Sequence, residues 1–82
     1  MIYFAQVGRD GPIKIGESDN PQRRLRELQT NAPWSLHLLL VLNHAGGRTA
    51  SNIYHDFSAA RMRGEWFYPT KYLMAFINEK HA

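Results

Sequence analysis

Ile13-Lys14-Ile15-Gly16, followed by Asn20-Pro21-Gln22-Arg23-Arg24-Leu25, is the stretch that sets the fold of this chain. It reads as a short strand, a tight turn and a basic helix. Asn20 suits the N-cap, where its side-chain oxygen accepts from an otherwise unpaired N–H. Pro21 suits the first helical position, where a missing N–H costs nothing. The helix is expected to run to about Thr30, with Leu25 and Leu28 facing inward. Arg23, Arg24 and Arg26 crowd its first turns, where the helix dipole disfavours positive charge. An exposed face would explain that placement, and so would a functional demand on the arginines.

Upstream, Ile2 to Val7 is rich in β-branched and aromatic residues, and Gly8-Arg9-Asp10-Gly11-Pro12 is turn chemistry. With Ile13 to Glu17 as the second strand, the chain opens on a β-hairpin. Tyr3, Lys14 and Arg24 are thereby offered from three adjoining elements, an arrangement able to hold a phosphodiester. Tyr3 and Lys14 share a sheet face only if paired residue numbers sum to an odd value. Pairing Val7 with Pro12 meets that condition, whereas pairing Val7 with Ile13 does not.

Downstream, Asn31-Ala32-Pro33 ends the helix. Ser35 to Leu42 places Leu36, Leu38, Leu40 and Leu42 on one face, with His37, Leu39 and Val41 on the other. A strand apolar on both sides belongs in the middle of a covered sheet, and His37 is expected to be packed. Asn43 to Arg48, containing Gly46-Gly47, is a loop. From Thr49 to about Arg61, Ala50, Ile53, Tyr54, Phe57 and Ala60 form one stripe at helix spacing, and Gly64 breaks the pattern. Glu65 to Tyr68 is an extended aromatic segment closed by Pro69, with Trp66 and Phe67 expected to fill core. A last helix, from about Thr70 to Glu79, packs Leu73, Phe76 and Ile77. The expected architecture is α/β, one domain over residues 1–82. Its small three-stranded, mainly antiparallel sheet is flanked by about three helices lying on both faces.

The 82 residues leave no room for a second core, and a chain of this size buries only about 60–65% of its unfolded surface. An apolar fraction of 44% with 12% aromatic belongs to a folded domain rather than a disordered tail. The absence of cysteine excludes disulfides, thiol nucleophiles and cysteine-ligated zinc, and suits the cytoplasm. The longest apolar run, Leu38 to Leu42, is far short of a membrane span, and no signal-peptide pattern follows Met1. A net charge of +3 permits a polyanionic partner without demanding one.

The ordered set of Ile2-Tyr3, Lys14-Ile15-Gly16, Asn20-Pro21 with Arg24-Leu25, Leu28-Gln29-Thr30, His55 with Phe57, and Arg63-Gly64-Glu65-Trp66-Phe67 resembles the GIY-YIG nuclease superfamily. The match is to its small phage and bacterial branch, in which the second tyrosine is commonly lysine, and it spans nearly the whole chain. The resemblance implies a metal-dependent endonuclease acting on nucleic acid, DNA foremost, with Mg²⁺ or Mn²⁺. It makes Tyr3 the general base on the attacking water, although a phenol with a pKa of about 10 needs a nearby cation for that task. Lys14 would lower that pKa or hold a phosphate oxygen. The planar fork of Arg24 would meet the charge of a five-coordinate phosphorus. His55 would contact the water or a phosphate, while Arg23, Arg26, Arg61 and Arg63 would flank the backbone. Small nucleases of this kind gain target choice from an attached recognition domain or by dimerisation.

One position departs from the pattern. Where the superfamily carries its metal-ligand glutamate, one turn before His55, this chain has Ser51. A hydroxyl is a poor anchor for a hard divalent cation. Glu65 is the alternative carboxylate, though its expected part is an ion pair with a cation such as Arg24. His44 and His81 are assigned no chemistry, and His37, His44 and His55 lack the helical i, i+4 pairing of a zinc site. Three readings follow: a nuclease, a non-cleaving nucleic-acid-binding module on the same fold, and a small interaction domain whose arginines keep it in solution.

Overall fold

The computed structural model describes residues 1–43 and 49–81. Its elements, in chain order, are β1 (Ile2–Val7), β2 (Ile13–Glu17), α1 (Pro21–Thr30), β3 (Leu36–Leu42), α2 (Ala50–Asp56), β4 (Arg61–Arg63), β5 (Trp66–Phe67) and α3 (Lys71–His81). The expected loop from Asn43 to Arg48, with His44, lies outside the described residues apart from Asn43.

The opening hairpin closes as its turn chemistry requires. Gly8 takes a φ of +58°, a conformation costly for any residue with a Cβ. Val7 N–H donates to Pro12 O at 3.1 Å and Gly11 N–H to Val7 O at 2.9 Å. β1 and β2 pair antiparallel with Tyr3 opposite Gly16 and Ala5 opposite Lys14, the odd-sum register. Tyr3, Ala5, Lys14 and Gly16 therefore share one face, and Ile2, Phe4, Ile13 and Ile15 the other.

The sheet has five antiparallel strands in the order β3-β1-β2-β5-β4, not the three expected. The two additional strands are short, and sequence shows only one of them as an extended segment. α2 stops at Asp56, and a 3₁₀ turn at Ser58–Ala60 leads straight into β4. Ala60 is nonetheless buried, so the apolar stripe outlasts the helix that was expected to reach Arg61. Gly64, at a φ of +57°, turns β4 back onto β5, and Arg61 Nε donates to its carbonyl at 2.7 Å.

β3 is an edge strand rather than the centre of the sheet. Its pairing shifts between Phe4↔Leu40 and Ala5↔Leu38, leaving Leu39 as an extra residue. The bulge moves Leu40 and Leu42 to the Phe4 face while Leu36 and Leu38 stay with Ala5 and Val7, so the leucines do not form one stripe. The imidazole Nε2 of His81 donates to the Leu39 carbonyl and so serves the bulge. His37 is exposed, not packed.

The core lies on the Phe4 face. There Ile2, Phe4, Ile13 and Ile15 meet Ile53 and Phe57 from the α2 segment and Leu73 and Ile77 of α3. Burying each such side chain contributes roughly 1.5–3 kcal/mol. Phe76 meets Phe4 and Phe57 at centroid distances of 5.9 and 5.2 Å. α1 packs against β3 and β1 and adds nothing to that cluster. It is tied down by Gln29, whose Nε2 donates to Trp34 O at 2.8 Å and whose Oε1 accepts from Leu36 N–H at 2.7 Å. Among the described residues no helix is long and apolar enough to cross a membrane.

Candidate nucleic-acid interface

The Tyr3 face of the hairpin gathers the polar side chains. Tyr3 is 1% exposed, and its ring lies across Gly16. A Cβ at Gly16 would stand 2.5 Å from Tyr3 Cζ and Oη, so only glycine fits opposite this tyrosine. From the side, the N-cap of α1 forms as expected, with Asn20 Oδ1 accepting from Arg23 N–H at 3.1 Å. That start brings the Arg24 guanidinium to the phenol, whose pKa it pulls down. Arg24 also approaches Glu27 Oε1 at 3.4 Å. Burial pushes the Tyr3 pKa up, the Arg24 contact pulls against it, and the Glu65 carboxylate adds to the rise. Burial thus favours the protonated form of the Tyr3 phenol.

Lys14 lies one strand step along the same face. Its Nζ is 3.0 Å from Glu65 Oε1 and 5.3 Å from the centroid of the Trp66 ring. The expected pairing of Glu65 with Arg24 is therefore not formed, because the β4–β5 turn delivers the carboxylate to Lys14. Arg24, not Lys14, is the cation acting on Tyr3.

Tyr54 completes the cluster and was missed as a site residue, since it reads as one more member of the apolar stripe. A tyrosine at the margin of such a stripe carries a polar tip, which is the signal available beforehand. Its hydroxyl donates to Ile15 O at 2.9 Å and reaches Glu65 Oε2 at 3.3 Å. Burial, followed by the Glu65 charge and hydrogen bond, pushes its pKa up to about 12.

The structure thus brings together Tyr3, Lys14, Arg24 and Glu65. Ser51 and His55 stand exposed on α2, which turns Ile53 into the core and Tyr54 towards the sheet. Arg23 and Arg26 are exposed on α1, and Arg61 lies 5.9 Å from the Tyr54 ring centroid. Arg63 lines a groove beside Trp66. Trp66 is only partly buried, so of the aromatic pair Phe67 alone fills core.

The donor set does not fit Mg²⁺ or Mn²⁺. Ser51 brings a hydroxyl, and the Glu65 carboxylate is already engaged by Lys14 and Tyr54. Among the described residues no three His, Asp or Glu side chains converge as a metal site, and hard cations favour several charged oxygens.

A five-stranded α/β sheet thus carries a buried phenol and two cations on one face. The family comparison places it more closely: the T5orf172 domain model matches residues 1–77, and the chain belongs to that family. The domain is related to the GIY-YIG/HNH-like nuclease fold. No curated protein and no solved structure gives a match.

Proposed function

We propose that this domain binds the phosphate backbone of nucleic acid, DNA foremost, on the Tyr3–Lys14–Arg24 face, and that the chain as written holds the strand without cutting it. The observation that carries the reading is the Arg24 guanidinium set beside the buried Tyr3 phenol, on the face that also bears Lys14. The Arg24 guanidinium and the Lys14 ammonium are donors, phosphate oxygens are acceptors, and the buried phenol holds Arg24 in place. Lys14 is available by exchange, because a phosphate can replace Glu65 as its counter-ion. Arg23, Arg26, Arg61 and Arg63 extend the positive surface around these groups. Such contacts fix position and carry no sequence information. Target choice is left to an attached recognition partner or to a second copy of the chain.

Hydrolysis is the chemistry the fold relationship suggests, and Ser51 is the argument against it here. With a serine at the glutamate position and Glu65 paired with Lys14, no three His, Asp or Glu side chains among the described residues converge to hold Mg²⁺ or Mn²⁺. The test compares three proteins on supercoiled plasmid with either cation: this chain, Ser51→Glu, and Ser51→Glu with Arg24→Ala. This chain should bind, with affinity falling steeply as salt rises, and should not nick the plasmid. Ser51→Glu should cut, and adding Arg24→Ala should abolish the cut. Cleavage by the unmodified chain would show that Glu65 or another group holds a cation after all. Absence of salt-dependent binding in every version would overturn the reading altogether.

A further inference from the structure

Beside the Lys14 end of this face lies an open groove of about 360 Å³ whose lining surface is apolar. Val7, Pro12, Trp34, Met62, Arg63 and Trp66 form it. Alternation along β1 puts Val7 on the face of Tyr3 and Ala5, and Trp66 pairs with Lys14, itself opposite Ala5. The groove therefore continues the surface proposed for phosphate. Trp34 is 50% exposed and Met62 41%, a large apolar cost to leave in water. Trp34 is held in place at its backbone by Gln29 of α1.

We infer that this groove takes an unpaired nucleobase, so that the domain prefers single-stranded nucleic acid, or a duplex with an unpaired nucleotide, over regular duplex. The inference rests on the phosphate reading above and adds the substrate class. Tryptophan faces beside a cationic surface are the chemistry of single-strand binding. Stacking accepts any base, while the neighbouring cations track the backbone. The charges at the groove fit that occupant. Arg63 forms part of its wall, and the Lys14 ammonium sits over the Trp66 ring. A backbone phosphate at Lys14 places its own base over the tryptophans. A base inside a regular duplex has both faces covered by its neighbours and cannot reach them. A second copy of this chain, with net charge +3, would bring like charge to the same rim.

The chain has two tryptophans and both line the groove, so their fluorescence reports its occupancy directly. The experiment titrates the full chain at low salt with an oligothymidylate, an abasic oligomer of the same length, and a blunt duplex. The oligothymidylate should quench the emission and bind about tenfold more tightly than the abasic oligomer, the scale expected for stacked bases. Trp34→Ala should remove that advantage while leaving abasic binding unchanged. Met62→Ala, which spares both reporters, should weaken oligothymidylate binding several-fold. An unchanged unfolding midpoint in each variant assures that the fold is kept. Equal, salt-dependent binding of the base-bearing and abasic oligomers would overturn the inference and leave the phosphate reading standing. Binding of none of the three would overturn both. Concentration-dependent dimerisation in sedimentation, lost in Trp34→Ala with no change in oligomer binding, would give the groove to a second copy and overturn it too.

Discussion

Gly16 shows how a single residue can be fixed by its neighbour across a strand pair. The Tyr3 ring occupies the space a Cβ would need, and the approach of 2.5 Å is one that buried atoms do not tolerate. Gly16→Ala should therefore push the Tyr3 ring out of place and destabilise the domain by about 1–3 kcal/mol, as overpacking does. Urea unfolding measures the loss, and weakened salt-dependent DNA binding should accompany it as the phenol leaves Arg24. At this scale the sequence was partly legible. Parity of the hairpin register set the condition for Tyr3 and Lys14 to share a face, and the Tyr3–Gly16 pairing meets it. The Lys14–Glu65 pair joins residues 51 positions apart through a two-stranded turn, and no local pattern announces such a contact. Tyr54 stayed hidden for a different reason, because its spacing suits core packing and its hydroxyl chemistry depends on where the helix is laid.

Among the elements, α1 was the most legible, since Asn20, Pro21 and the inward leucines act within a single helix. Asn20→Ala should cost about 1 kcal/mol by removing the cap on Arg23 N–H. The thermal midpoint should fall accordingly. Because Arg24 takes its direction from the same first turn, DNA affinity should fall with it, and Asn20→Asp or Asn20→Ser should restore both. β3 was the least legible element. A run of leucines apolar on both sides means a covered central strand when the strand is regular. Here the extra residue at Leu39 rotates half of the run to the other face, so both layers are served from an edge. A bulge leaves the composition of a strand untouched, and composition was what could be read. The same limit applied to α2, whose apolar spacing persists through the 3₁₀ turn at Ser58–Ala60.

For the whole molecule, the two phenols make a statement about pH. An unfolded tyrosine ionises near pH 10, whereas the pKa of folded Tyr54 is pushed up to about 12 and that of folded Tyr3 is also raised. Where the folded pKa is higher, the unfolded state loses its proton first. This part of the stability is present in full below about pH 10 and is lost as pH rises through about 12. Denaturant midpoints should therefore fall over that window, and Tyr54→Phe should show a shallower fall.

The sheet that carries this face ends on two open edges of unlike character. Along β4, Arg61 and Arg63 are exposed, and a second molecule offering the same edge would meet repulsion. β3 is longer and leucine-rich, but its bulge breaks the even spacing that strand addition needs, and His81 already occupies the Leu39 carbonyl. One margin is protected by charge and the other by shape. Electrolyte weakens the first, since exposed charges are screened beyond about 8 Å at physiological ionic strength, and leaves the second untouched. Resistance to self-association in concentrated salt thus falls to a single surplus leucine.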